Sequence, residues 1–135
     1  MTNLQAEHYL LNKPEATVDF PFGEAVKVFK VKNKMFATLS LGKMGKGEAS
    51  SSGRADWWMN LKCDPDEAVM LRDIFPSIIA GYHMNKRLWN TIILDNSIPQ
   101  GEVERMIDNS YLLVVKKMTK KEQQSMLLHT TSAIR

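Results

Sequence analysis

The densest run of side chains able to do chemistry in this 135-residue chain is His83-Met84-Asn85-Lys86-Arg87, preceded by Gly81-Tyr82. An imidazole, a carboxamide, an ammonium and a guanidinium fall within five residues. Lys86 and Arg87 suit an anion, by point charge and by bidentate hydrogen bonding respectively. Asn85 and Arg87 suit base edges, and His83 with Asn85 has the make-up of a general base and its orienter. The same residues can instead satisfy backbone groups at a turn. Trp89 to Leu94 follow directly and are apolar and largely β-branched, which predicts a strand. A polar cluster leading into a buried strand is a rigidly held surface site.

A second source of positive charge lies upstream. Lys27, Lys30, Lys32, Lys34, Lys43 and Lys46 occur between Ala25 and Gly47 with no acid among them, and Lys62 adds to these further on. The formal net charge is only +3, so any polyanion-binding surface depends on placement rather than total charge. Trp58 and Trp89 are candidates for stacking or for lining a pocket. His8, His83 and His129 stand far apart, with the lone Cys63, and show no metal-ligand spacing. No metal, cofactor or catalytic set is expected, and the chain reads as a binding domain rather than an enzyme. Cys63 precedes a helix start, where a thiol pKa can fall. A nucleophile also needs a base beside it.

One cysteine excludes an internal disulfide and fits a reducing cytoplasm. The longest apolar runs are too short to cross a membrane, and the N-terminus has neither a basic start nor an apolar signal core. A cytoplasmic location is the expectation. The length fits one domain, residues 1–135, with a short helix and frayed tail from 119 onward.

The elements that must hold these residues can be read in order. Leu4, His8 and Leu11 share a helical face in residues 3 to 12, and Pro14 ends that helix. Asp19 to Glu24 is a turn whose Phe20 and Phe22 are expected to plug the core. Ala25–Val31 and Met35–Leu41 form a hairpin turning at Lys32-Asn33-Lys34. Gly42 to Ala55 is a glycine- and serine-rich connection. In the strand Trp57–Lys62, Trp57, Met59 and Leu61 alternate with Trp58, Asn60 and Lys62. Asp64 caps the next helix, with Pro65 in its first turn and Glu67 completing a capping box. Ser97 caps a longer helix whose apolar face is Val103, Met106, Ile107, Ser110, Tyr111 and Val114. Thr119 and Glu122 open a final helix, Lys120 to Leu128. Hairpin-joined strands with helices covering one face predict an α+β two-layer sandwich on an antiparallel sheet.

The 81–94 run resembles the signature of the MmcQ/YjbR family. Other segments match in the same order: Asp19-Phe20-Pro21-Phe22-Gly23-Glu24, Val28-Phe29-Lys30-Val31, Lys34-Met35-Phe36-Ala37, Leu61-Lys62-Cys63-Asp64-Pro65, Ser97-Ile98-Pro99 and Asp108-Asn109-Ser110-Tyr111. The resemblance implies a CyaY-like sandwich, an architecture related to that of secretion chaperones. It also implies double-stranded DNA as the partner, met by the basic hairpin and the His83–Arg87 cluster. The alternatives are a small anionic ligand or a protein partner. DNA needs the lysine patch and the cluster on one contiguous surface. A pocket needs His83, Asn85 and a tryptophan converging inward, and an adaptor needs an exposed apolar patch.

Overall fold

A computed structural model describes residues 1–42 and 56–126. Six strands, β1 (Ala16–Asp19), β2 (Val26–Val31), β3 (Lys34–Leu41), β4 (Trp57–Lys62), β5 (Ile78–Ala80) and β6 (Trp89–Leu94), form one sheet. Their order is β1-β2-β3-β4-β6-β5, with every neighbouring pair antiparallel. The helices are α1 (Asn3–Leu11), α2 (Pro65–Ile74), α3 (Gln100–Lys116) and a short α4 at 120–126. The core joins Ala6 and Leu10 of α1, Ala68 and Leu71 of α2, Val103, Ile107 and Tyr111 of α3, and Met126 of α4 to Phe29, Leu39, Met59, Leu61 and Ile92 of the sheet. The chain is therefore an α+β sandwich with the helices on one face.

Local chemistry accounts for the elements. The β2–β3 turn places Lys32 and Asn33 at φ 46° and 63°, the geometry a two-residue hairpin needs to follow the strand twist. A bulge falls between Phe29 and Lys30, where Phe36 has no partner in the β2 register, so Phe36 and Ala37 are both buried. The Phe36 ring meets Tyr111 of α3 edge-on at 5.4 Å and 84°. The buried face of α3 is the predicted one, Val103 through Val114. Asp64 caps α2 by accepting from Asp66 N at 3.1 Å. Thr119 and Glu122 close the predicted box at the start of α4.

Several local expectations are corrected. β1 is an added strand, only four residues long. Phe20 and Phe22 are 43% and 63% exposed, because the turn carries them beyond the edge strand rather than under the sheet. On α1 the buried side is Ala6 and Leu10, while Leu4 and His8 face solvent. Ser97 hydrogen-bonds Asp95 instead of capping α3, whose N-cap position is Pro99. Glu67 forms no capping box because it is held by Arg105 at 2.8 Å.

Candidate nucleic-acid interface

Strand register decides which loops share an end of the sheet. Val31 faces Lys34, Ala37 faces Leu61, and Lys62 faces Trp89. The β2–β3 turn, the last residue of β4 and the 81–88 segment therefore emerge at the same end. α3 runs toward that end, where Ser110 Oγ accepts from Lys62 N at 2.8 Å and donates to Phe36 O. α4 follows it there, with Glu122 at 3.6 Å from Lys34 Nζ. Glu24, Asp56 and Asp95 lie at the opposite end, beside the first residues of β2 and β4 and the last of β6.

The 81–88 segment is built by its own polar groups. Gly81 N donates to Trp89 O at 3.0 Å, and Met84 N to Gly81 O at 3.3 Å. Asn85 Oδ1 accepts from Arg87 N at 2.9 Å, while Asn85 O accepts from both Leu88 N and Trp89 N. Asn85 is thus a turn-former first. Lys86 Nζ returns to Gly81 O at 3.2 Å. Arg72 of α2 reaches across to Lys86 O at 3.4 Å and Asn90 Oδ1 at 2.8 Å, and Asn90 Nδ2 donates to Ala68 O. No hydrogen bond joins His83 to Asn85, whose Oδ1 is taken by Arg87 N; the His83 ring lies against Tyr82. No base–orienter pair forms, and His83, Asn85, Lys86 and Arg87 are all exposed. Trp89 is 8% exposed and packed against Gly81, so it offers no stacking surface. Trp58 is half-buried on the helix-free face and meets Tyr82.

The lysines divide sharply. Lys27 is bound by Glu7 at 2.8 Å, Lys30 by Asp19 at 3.3 Å, Lys32 by Glu15 at 3.0 Å and Lys34 by Glu122 at 3.6 Å. Lys27 lies on the helix face and Lys30 beside β1, so the hairpin lysines do not form one surface. Lys43 and Lys46 lie outside the described residues. Lys62 is different: the charge of Lys117, just past α3, is near enough to act on it, and neither has a carboxylate partner among the described residues. Partial burial first, and the Lys117 charge second, hold the Lys62 pKa below the usual lysine value. Lys116, Lys120 and Lys121 at this end also have no carboxylate partner among the described residues.

Cys63 is buried, and its thiol is pushed up to about 11 by burial, then by Glu67 and Asp64. This is the opposite of an activated nucleophile. A cleft of about 170 Å³ between α2 and α3 is lined by Cys63, Asp64, Glu67, Asn109 and Lys116, and its two carboxylates oppose an anionic guest. Among the described residues no group of three or more His, Cys, Asp or Glu is arranged to hold a metal ion, and no helix is long and apolar enough to cross a membrane.

Sequence reasoning missed Lys117, Arg72 and a buried network on the helix-free face. There Thr91 Oγ1 donates to Asn60 Oδ1, Tyr82 N donates to Thr91 Oγ1 at 2.9 Å, and Asn60 Nδ2 donates to Tyr82 O at 3.4 Å. The available signal was Asn90-Thr91 inside an apolar strand, since buried polar side chains require partners.

Comparison with known proteins agrees with this architecture. The YjbR family model matches residues 11–113. The chain is similar to the uncharacterised protein YbdF of Escherichia coli O157:H7, at 32% identity over 88% of each chain. It is similar to the uncharacterised YjbR of Escherichia coli K12 at 29% identity, over 49% of this chain and 56% of that one. Among solved structures, a Deinococcus radiodurans protein with a DUF419 domain superposes with a TM-score of 0.78 and 31% identity, covering 93% of this chain and 87% of that one. A Pseudomonas syringae protein gives 0.71 and 27%, covering 84% and 98%. With the family model spanning most of the chain and the fold shared, this protein belongs to the YjbR (MmcQ/YjbR) family.

Proposed function

We propose that this domain binds double-stranded DNA, gripping phosphates at the lysine-rich end of its sheet. The observation that carries the reading is the Lys62–Lys117 pair. Two ammonium groups near enough to act on each other repel, and a phosphate between them reverses the sign of that interaction. Lys86 and Arg87 emerge at the same end and provide further phosphate contacts. Lys32 and Lys34 flank the site, each already engaged by a carboxylate. Lys27 and Lys30 are assigned no role, because Glu7 and Asp19 neutralise them.

Fluorescence anisotropy with a mixed-sequence duplex at low salt tests this. Micromolar binding is expected, weakened severalfold by Lys62→Gln and by Lys117→Gln and left unchanged by Lys27→Gln. No binding at low salt overturns the reading. A protein-docking role has one observation in its favour, the exposed Val69, Met70 and Ile74 on α2, at 51%, 57% and 58%. Sedimentation of the chain that shifts with concentration and reverts in Met70→Lys would support it.

A further inference from the structure

The helix-free face carries a short aromatic ladder that leads from Trp58, near the start of β4, to the 81–88 segment. Trp58 meets Tyr82 edge-to-face, with centroids 5.7 Å apart at 87°. Tyr82 meets His83 at 4.2 Å and 55°. Trp58 and Tyr82 are half-buried, and His83 at the top is exposed. The mounting is rigid, because the Tyr82 backbone is held on both its N–H and its carbonyl by the buried Thr91–Asn60 pair. His83 sits at φ 57°, a conformation that costs a residue of this kind energy and persists only where surroundings impose it. The fold thus holds an exposed ring against a fixed aromatic support, with Lys86 and Arg87 within the same short segment.

We infer that His83 is a stacking platform for an unpaired nucleobase, so that a locally opened stretch of bound DNA gains a contact that a fully closed duplex lacks. The inference rests on the phosphate-binding reading above and adds the class of base presented. Aromatic rings support stacking on any base, since every base offers a π-face. Lys86 and Arg87, three and four residues further on, supply the phosphate contacts beside it.

The test compares three probes of equal length, about fifteen units, within the range such sites span: an oligothymidine, an abasic phosphodiester chain and a closed duplex. Three proteins are used, the natural chain, His83→Asn and His83→Tyr. Asparagine tolerates the left-handed backbone and lacks the ring stack, whereas tyrosine keeps a ring. The oligothymidine is expected to bind about tenfold tighter than the abasic chain. His83→Asn should erase most of that ratio, His83→Tyr should keep it, and abasic binding should stay constant in all three proteins. Equal binding of oligothymidine and abasic chain, both falling with salt, overturns the stacking platform and leaves the phosphate reading standing. A uniform loss for every probe in His83→Asn also overturns it, as a purely structural role would do that. No binding of any probe removes both readings.

Discussion

At the scale of single residues, the decisive features are charges without partners. Lys62 has its pKa lowered by partial burial and by Lys117. A folded value below the unfolded one means that protonated Lys62 opposes folding at neutral pH, and that stability recovers as pH rises toward the unfolded value. Lys62→Gln is therefore expected to leave the thermal midpoint unchanged or slightly raised at pH 7 while weakening DNA. A midpoint several degrees lower would contradict the repulsive pair. Cys63 gives a second residue-scale expectation. With its thiol near 11, about a thousandth is thiolate at pH 8, so iodoacetamide should label the native chain far more slowly than the unfolded one. Lys62 was visible in the sequence as a candidate. Lys117 was not, because only the packing of α3 across β4 brings the two together. Which hairpin lysines are neutralised was equally hidden, since their carboxylates come from α1, the loop before β1, β1 itself and α4.

At the scale of elements, the 81–88 segment is a fitted connection between β5 and β6. A Cβ at Gly81 would lie 2.8 Å from Trp89 Cβ and 2.9 Å from Trp89 O. Gly81→Ala must move β6 or the turn, and a destabilisation of about 1–3 kcal/mol is expected in urea unfolding. A change within error would mean that the approach relaxes freely. Arg72 ties the segment to α2, and Arg72→Ala leaves Asn90 Oδ1 without its donor. The expected cost is about 1–3 kcal/mol, with loosening of Lys86 and Arg87 showing as faster amide exchange there. The long elements were legible: β2 and β3 follow from their β-branched and apolar content, β4 from alternation, α2 from its capping and α3 from an apolar stripe. β1 was not, because Ala-Thr-Val-Asp carries little strand signal and gains its partner only from β2. The buried side of α1 was misread because Ala6 contributes close packing more than hydropathy, and the larger Leu4 faces solvent.

At the scale of the whole molecule, the cations are unevenly placed. Those without carboxylate partners among the described residues gather at one end of the sheet, alongside Asp64 and Asp66 at the start of α2, and Glu24, Asp56 and Asp95 lie at the other. The two-layer α+β fold was legible from the order of the elements, and the structural neighbours share it. The uneven placement was not legible, since it depends on which strand ends coincide. Tyr9 and Tyr111 join α1, α3 and the loop at Pro14, and both phenols are raised to about 12, foremost by burial. Raised folded values mean that this stabilisation is fully present below pH 10 and is lost as pH climbs from 10 to 12. Circular dichroism should show an alkaline unfolding transition in that window, and a chain fully folded at pH 13 would contradict the two burials.

The most direct test of the central claim is the salt dependence of duplex binding. If Lys62, Lys117, Lys86 and Arg87 each meet a phosphate, log Kobs should fall against log salt with a slope of about −3 to −4. The Lys62→Gln, Lys117→Gln double variant should lower its magnitude by about 2. A slope unchanged in the double variant, or no salt-dependent binding at all, would contradict the assignment of this end of the sheet to DNA.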